Sequence, residues 1–350
     1  MRAAVMTAFR EPLEVQELPD PTPGPNDAVV RVEGCGICRS DWHVWQGDWT
    51  WVGVEVQLPL VLGHEFGGVV EAVGEQVQQV KPGDRVTVPF HLACGRCEYC
   101  YTGRSNLCLA YGVIGVHSNG GYGRLALVPN ADVNLVQLPD EVDFLSAAAL
   151  GCRYMTSYHG LVDRAHLQPG EWVAVFGVGG VGLSAVQIAS SLGGRVIAVD
   201  IHDEKLERAR EEGALHTVNA AKDDAVSAIK DITGGGADIS LDALGSSRTA
   251  LPAILSLRRG GRHLQIGLTS QDEQGMIPVP VDAMILQEIS FVPSLGCPAT
   301  SYRGLLALVA DGVLKPARLV TNQVPVEQAG DVLASMTDFK TVGLNVITSW

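Results

Sequence analysis

The sequence has too few basic residues to balance its acidic ones. Lys and Arg number 25 against 39 Asp and Glu, which gives a formal net charge of -14 at pH 7. It contains no Lys/Arg-rich run, so neither nucleic acid nor an anionic membrane surface is an expected partner. It also lacks low-complexity tracts, and its composition is that of an ordinary folded protein. A chain of 350 residues is longer than one compact core usually holds, so two domains are expected.

Long apolar segments are also missing. The first residues, 1–7, lack the apolar region of a signal peptide, and no uninterrupted apolar run is long enough to span a bilayer. We therefore expect a cytoplasmic protein that does not contact membranes. Because disulfides are rare in that compartment, the eight cysteines are expected to be metal ligands rather than disulfide partners.

Half of these cysteines lie in one short loop that also contains Gly and Asn. Four thiolates suit tetrahedral zinc, and a complete set of four leaves no position for a substrate. We therefore predict a structural zinc site that holds together a lobe with little core of its own. Its ligands are Cys94, Cys97, Cys100 and Cys108.

A second polar cluster, residues 38–43, follows the β-like run 29–32. Cys38 is a soft metal ligand, and Ser40 and His43 are spaced to pass a proton outward, as in a metal-assisted redox site. The alternative interpretation is a polar loop with one incidental cysteine.

Two distant residues are candidates to share a metal with Cys38. His64 is expected at a strand end, and Asp41 is free to orient its second ring nitrogen. Cys152 would complete an open site of two cysteines and one histidine. Taken singly, such a histidine is more often structural and such a cysteine more often a small buried apolar residue. The two remaining cysteines, Cys35 and Cys297, are assigned to packing.

Tryptophan is concentrated in the same region. Four of the six tryptophans are Trp42, Trp45, Trp49 and Trp51. Rings this dense beside a metal ligand can line an apolar pocket. An equally supported alternative is a surface loop or subunit contact anchored by aromatic side chains.

A glycine-rich turn joins a predicted buried strand, 172–176, to a predicted helix, 183–192. Gly177 allows the tight turn, Gly179 lets the backbone approach a pyrophosphate, and Gly182 lets the helix pack on the strand. The helix N-terminus supplies N–H groups to the phosphates. This context predicts a dinucleotide-binding turn.

An acidic residue, Asp200, follows the next predicted strand, 195–199. Its carboxylate would accept hydrogen bonds from an adenosine ribose diol and repel a 2′-phosphate, so NAD is expected rather than NADP. Lys205, one helical turn further on, is either a second ribose contact or an ordinary solvated lysine, and neither is favoured.

The local patterns predict an α/β protein with two architectures. Residues 1–152 contain short β-like runs broken by Gly and Pro, as in a barrel-like β domain with the zinc lobe. Residues 153–290 alternate strands and helices, as in a doubly wound parallel sheet. Residues 291–350 resume the first pattern and are expected to complete a discontinuous β domain.

With these motifs in place, the chain resembles the zinc-dependent alcohol dehydrogenases of the medium-chain dehydrogenase/reductase superfamily. The resemblance extends over residues 1–350. It implies a GroES-like catalytic domain, a Rossmann NAD-binding domain, and a homo-oligomer, with a tetramer favoured over a dimer. The motifs that carry it are Cys35-Gly-Ile-Cys38, Gly63-His-Glu-Phe-Gly-Gly-Val-Val-Glu-Ala-Val-Gly74, the four-cysteine lobe and Gly177-Val-Gly-Gly-Val-Gly182.

The resemblance also assigns roles to individual residues. The three predicted ligands would bind a catalytic zinc, with Glu65 close behind and Asp41 hydrogen-bonded to His64. Ser40 would take the proton of the alcohol and pass it, through the nicotinamide ribose, towards His43. The residues expected at the cofactor pyrophosphate are Arg39, Gly179, Gly180 and Val181.

The predicted enzyme is an NAD-dependent alcohol dehydrogenase with one catalytic and one structural zinc. It would interconvert an apolar or aromatic primary or secondary alcohol and its aldehyde or ketone by hydride transfer. Cys152, where related polyol dehydrogenases typically carry a glutamate, favours simple alcohols. The alternatives are a polyol or sugar dehydrogenase on the same scaffold and a non-catalytic dinucleotide-binding protein.

Overall fold

The structure is a computed structural model that describes residues 1–49, 53–270, 272–339 and 341–350. The chain divides into two units. One comprises Met1–Met155 together with Gly296–Trp350, and the other comprises Thr156–Leu295. The first unit is therefore discontinuous. In the part of the chain described, no helix is long and apolar enough to cross a membrane.

Strands and helices are numbered in chain order. The strands are β1 (Arg2–Met6), β2 (Glu14–Glu17), β3 (Ala28–Ile37), β4 (Leu60–Val61), β5 (Glu65–Val73), β6 (Arg85–Thr87), β7 (His91–Leu92), β8 (Gly112–Val113), β9 (Leu125–Val128), β10 (Val136–Gln137), β11 (Trp172–Phe176), β12 (Arg195–Asp200), β13 (His216–Asn219), β14 (Ala237–Asp242), β15 (Leu257–Gln265), β16 (Ser290–Pro293), β17 (Val320–Pro325) and β18 (Leu344–Ser349). The α-helices are α1 (Arg39–Gln46), α2 (Glu98–Tyr101), α3 (Ala131–Asn134), α4 (Phe144–Ala149), α5 (Met155–Tyr158), α6 (Gly180–Ser191), α7 (Asp203–Glu211), α8 (Ala225–Thr233), α9 (Ser247–Leu255), α10 (Val281–Gln287), α11 (Ala299–Ala310) and α12 (Ala329–Ser335). The π-helical turns are Leu150–Tyr154 and His159–Arg164, and the 3-10 turns are Ser105–Leu107, Pro316–Leu319, Val326–Gln328 and Met336–Asp338.

The first unit is built on a main sheet with the strand order β10-β6-β5-β3-β18-β17, and β9 also pairs with β3. Strand β3 pairs antiparallel with β5, β9 and β18, and Ile347 of β18 lies opposite Cys35. Apolar side chains of these strands form one buried core, because each strand directs its apolar residues to the same side. Among them are Val30, Val32, Phe66, Val86 and Ile347. The last strand of the chain therefore completes the sheet that precedes Cys38.

The second unit contains a six-stranded parallel sheet in the order β13-β12-β11-β14-β15-β16. Strand β11 is buried along its whole length, as expected for a central parallel strand covered on both faces. From β11 the chain builds outward in one direction through β12 and β13 and in the other through β14, β15 and β16. The predicted doubly wound sheet is confirmed.

Several local elements differ from the sequence predictions. The polar cluster of residues 38–43 is mostly helical, with Cys38 at the N-cap of α1. Strand β16 belongs to the parallel sheet, so the second unit extends to Leu295. No residue of β16 is fully buried, and its sequence lacks the long apolar run that marks the central strands.

Candidate active site

Three elements of the first unit bring four possible metal ligands together. Cys38 caps α1, His64 directly precedes β5, Glu65 is the first residue of β5, and Cys152 lies in the π-helical turn Leu150–Tyr154. One ligand atom from each lies within 4.8 Å of the others. The buried Nε2 of His64 has no hydrogen-bond partner among the described residues. Two thiols, a carboxylate and an unpartnered ring nitrogen form a donor set that fits zinc.

Asp41 holds this arrangement from behind. Its Oδ1 accepts hydrogen bonds from His64 Nδ1 at 2.8 Å and from Gly63 N–H at 3.2 Å. Its Oδ2 accepts from Cys38 N–H at 2.9 Å and from the Tyr122 hydroxyl at 3.0 Å. Because Asp41 engages Nδ1, the other ring nitrogen of His64 is left for a metal. Tyr122 was not predicted, since nothing in its local sequence links it to Asp41.

The two thiols of this group show opposite pKa shifts. Burial opposes ionisation of Cys38, but the hydrogen bond with Cys152 and the nearby ring of His64 outweigh burial and lower the pKa of Cys38 well below its usual value. The hydrogen bond with Cys38, together with burial, raises the pKa of Cys152. The pair therefore favours one thiolate and one thiol, and a bound cation would favour ionisation of both.

Glu65 is held by Arg153, another residue that was not predicted from the sequence. Glu65 Oε1 accepts from Arg153 Nε at 3.0 Å and from the Arg153 N–H at 3.1 Å, and Oε2 pairs with Nη2. Burial raises the pKa of Glu65 to about 7, although the Arg153 guanidinium opposes this rise. The only feature of the sequence that could have indicated a role for Arg153 was its charge within the apolar segment 147–155.

Helix α1 carries the residues predicted to move a proton. Ser40 Oγ lies 4.0 Å from Cys152 Sγ, beside the candidate ligands. His43, three residues further along the helix, pairs through Nδ1 with Asp48 Oδ2 at 2.8 Å and stacks on Trp49 with ring centroids 5.0 Å apart. Burial lowers the pKa of His43, so its neutral form is favoured near pH 7.

The tryptophans do not form one continuous wall. Trp42 and Trp45 are 9% exposed and pack into the core of the first unit. Their indole N–H groups donate to Thr337 Oγ1 at 3.0 Å and to the Glu11 carbonyl at 2.6 Å. Trp49 contacts His43, whereas Trp51 lies outside the described residues. Only part of the cluster is therefore available to the pocket proposed from the sequence.

Arg39 is held within the first unit. Its guanidinium lies between the rings of Trp42 and Phe339, 3.7 and 3.8 Å from their centroids, and Nη1 donates to the Met336 carbonyl. Burial lowers the pKa of Arg39 to about 10, which leaves it charged at neutral pH.

The four-cysteine lobe forms a second metal-type group, whose four sulfur atoms lie within 4.8 Å of one another. The Sγ of Cys97 lies 3.5 Å from that of Cys100 and 3.9 Å from that of Cys108. Backbone N–H groups, foremost that of Leu109, lower the pKa of Cys97 to about 6. Four thiols this close together fit a closed zinc site.

The glycine-rich turn lies between β11 and α6 in the second unit. Gly177 has φ +82°, and a Cβ at Gly182 would stand 1.9 Å from the Gly177 carbonyl oxygen. Beside Gly179 there is open space where a Cβ would stand. Gly180 and Val181 begin α6, whose first N–H groups face outward from the helix end. These features fit a phosphate group brought close to the backbone.

The acidic residue after β12 is connected to this turn. Asp200 Oδ2 accepts from Val178 N–H at 2.9 Å, and Oδ1 accepts from the N–H groups of Ile201 and His202 at 2.8 and 3.1 Å. Oδ2, which accepts only one of these hydrogen bonds, retains capacity for a further donor such as a ribose hydroxyl. Lys205 on α7 is only 8% exposed and is therefore not an ordinary solvated lysine.

Comparison with known proteins gives the family. The family model described as "Alcohol dehydrogenase GroES-like domain" matches residues 24–140, and that described as "Zinc-binding dehydrogenase" matches residues 180–311. An NAD-dependent alcohol dehydrogenase of Sulfurisphaera tokodaii is 33% identical over 99% of both chains. The chain belongs to the zinc-dependent alcohol dehydrogenases of the medium-chain dehydrogenase/reductase superfamily. The predicted family, fold and class of enzyme are confirmed.

Two other similarities mark the range of the family. The solved alcohol dehydrogenase of Thermus sp. ATN1 is 35% identical, with a TM-score of 0.91 over the whole of both chains. A sorbitol dehydrogenase of Bacillus subtilis is 34% identical and covers 99% of this chain and 96% of its own. Similarity at this level thus includes both simple alcohol and polyol dehydrogenases.

Proposed function

We propose that the chain interconverts an apolar or aromatic alcohol and its aldehyde or ketone with NAD. Cys38, His64 and Cys152 would hold a catalytic zinc, and the four-cysteine lobe would hold a structural one. When bound, zinc supplies a Lewis acid and NAD a hydride acceptor. The observation that carries the proposal is the buried ligand group, in which the unpartnered Nε2 of His64 lies beside two thiols and Asp41 holds the opposite nitrogen.

Ser40 and His43 would remove the proton of the alcohol. Ser40 is beside Cys152, so its hydroxyl can accept a proton from a substrate oxygen near the ligand group. His43 is the onward acceptor, since its neutral form is favoured and Asp48 fixes its ring. Glu65 would support the ligand group without touching substrate, because Arg153 engages both of its oxygens.

The second unit would bind the cofactor. Asp200 would accept hydrogen bonds from the adenosine ribose and disfavour NADP by repelling its 2′-phosphate. The backbone of Gly179, Gly180 and Val181 would bind the pyrophosphate, and Arg39 and Lys205 are candidate further contacts with the cofactor. The family resemblance supports a cytoplasmic homo-oligomer, and we favour a tetramer.

A polyol dehydrogenase is the second candidate, and the similarity to a sorbitol dehydrogenase favours it. The thiol at Cys152 speaks for simple alcohols, as do the apolar rings of Trp49 and of Phe90, which packs edge-on against His64 with centroids 6.0 Å apart. Aromatic walls offer few hydrogen-bond partners to a sugar.

Absorbance of reduced nicotinamide would test the proposal. The zinc-replete protein would receive NAD or NADP with aliphatic, aromatic, secondary and polyol substrates, and Cys38→Ala would serve as the control. Turnover with NAD and an apolar alcohol that disappears in the control would support the proposal. Turnover with polyols alone would support the second candidate. No turnover, despite bound NAD and a complete metal content, would contradict both.

A further inference from the structure

The end of helix α1 folds back onto His43. Gly47 lies in the left-handed region with φ +75°, and its N–H donates to the Val44 carbonyl at 3.1 Å. The next N–H along the chain, that of Asp48, donates to the His43 carbonyl at 3.0 Å. These two hydrogen bonds form the helix-ending motif that a glycine in this conformation favours. The turn therefore places the backbone of Asp48 directly beside that of His43.

The side chains of the same two residues are also paired. His43 Nδ1 lies 2.8 Å from Asp48 Oδ2, and the two side chains are only 15% and 14% exposed. Because a carboxylate accepts hydrogen bonds and does not donate them, Nδ1 of His43 is the donor. A neutral imidazole carries a single ring proton, so its other nitrogen, Nε2, is then an acceptor. Asp48 thus selects the form of His43 that can take up a proton at Nε2.

The surroundings of His43 keep its ring in this orientation. Trp49 stacks on the ring with an angle of 18° between the two planes. The side chains that line the small cavity beside the ring are apolar, and they include Phe9, Val54 and Val56. Burial lowers the pKa of His43, and Arg39 adds to this effect, whereas Asp48 and Cys38 oppose it. Among the described residues, Asp48 is therefore the hydrogen-bond partner that defines what Nδ1 does.

We propose that Ser40, His43 and Asp48 form one proton-transfer chain in which Asp48 is a positioning residue. Ser40 and His43 are three residues apart on α1, so their side chains occupy neighbouring positions on one face of the helix. Ser40 accepts the proton of the alcohol and gives up its own, so its hydroxyl is unchanged. His43 takes up one proton at Nε2 and becomes an imidazolium, which Asp48 stabilises through Nδ1–H. That proton later leaves Nε2 for water, and Asp48 is never protonated.

The inference rests on the proposed function, because a proton is released only where an alcohol is oxidised. Without the carboxylate of Asp48, neutral His43 can carry its ring proton at Nε2, and that nitrogen then cannot accept another. The imidazolium would also lose its neighbouring negative charge. Asp48 lies outside the candidate ligand group, so its effect on the reaction should pass through His43 alone.

Nitrogen NMR of isotope-labelled histidine rings tests the position of the ring proton without requiring turnover. In the wild type at a pH where His43 is neutral, the His43 signals should show hydrogen on Nδ1 and none on Nε2. Their absence in His43→Gln identifies them. In Asp48→Asn, hydrogen should move at least in part to Nε2, because the new amide can donate to Nδ1. Asp163→Asn is the matched control and should leave the His43 signals unchanged, since Asp163 pairs with His159 Nδ1 at 2.7 Å in the second unit. An unchanged His43 in Asp48→Asn would overturn the inference.

A double-variant cycle tests whether Asp48 acts through His43. The rate of nicotinamide reduction in a single turnover with an apolar alcohol should fall about tenfold in Asp48→Asn, which is part of the roughly 10²-fold that a positioned proton acceptor contributes. Asp48→Glu keeps a carboxylate and should recover part of this loss. In a His43→Gln background, Asp48→Asn should have no further effect. Additive losses in the double variant, or an unchanged rate in Asp48→Asn, would overturn the inference. If wild-type protein did not reduce NAD at all, the proposed function would be wrong as well, which distinguishes the two failures.

Discussion

The two cysteine-containing clusters use the same thiol chemistry but are built in different ways. The lobe takes its four ligands from positions 94 to 108, and three of them are only partly buried. The other group takes its ligands from positions 38 to 152 and is enclosed by buried partners, above all Asp41 and Arg153. A closed site needs little beyond its ligands. An open site also needs groups that orient its ligands.

The largest effect on turnover is expected when a ligand is removed from the enclosed group. Cys38→Ala should lower turnover by roughly 10³-fold or more, because several kcal/mol of Lewis-acid assistance are lost. Metal analysis should show that the lobe keeps its zinc. Equal loss of metal from both clusters would show that they are not independent.

The second-largest loss of turnover is expected when the proposed proton acceptor, Ser40, is replaced. Ser40→Ala should lower kcat about 10²-fold, since a positioned proton acceptor is lost while the metal ligands remain. Steady-state kinetics together with metal content measure this effect, and Ser40→Thr, which keeps a hydroxyl, is the control. A drop in metal content equal to that in kcat would assign Ser40 to the ligand group instead.

In the enclosed group, replacing a buried hydrogen-bond partner of a ligand should weaken metal binding. Asp41→Asn should weaken zinc binding there by about 10- to 100-fold, because the new amide cannot accept all of the hydrogen bonds that the carboxylate accepts. Competition with a chelator measures this change. Tyr122→Phe removes a single donor to Asp41 and should have a smaller effect. A larger effect for Tyr122→Phe would contradict the assignment of Asp41 as the main support.

The smallest effect on turnover is expected from the lobe. Cys97→Ser should release the lobe zinc and lower the thermal midpoint, because metal binding there contributes to folding. At low temperature, turnover should fall far less than in Cys38→Ala. Scanning calorimetry and initial rates measure the two quantities. If folded Cys97→Ser protein were completely inactive at low temperature, the lobe would have more than a structural role.

A feature could be predicted from the sequence when the residues that produce it are close together in the chain. Strand Trp172–Phe176 was predicted with its observed bounds, because a buried strand is visible in the sequence as a short apolar run between turns. The four-cysteine lobe could be predicted from the spacing of its cysteines alone. Tyr122 and Arg153 were not found, since their importance depends on Asp41 and Glu65, which only the folded chain brings to them.

The insertion of β18 beside β3 has a consequence for biosynthesis. During translation, Thr156–Leu295 emerges as a complete unit and can fold while the remaining residues are still being added. The strand leading to Cys38 must wait, because Val346 and Ile347 pair with Gly36 and Cys35. Until the ribosome has released these last residues, the nascent chain exposes an unpaired strand edge next to its thiols. A product that stops before Leu344 would therefore contain a folded second unit and an unfinished candidate metal site.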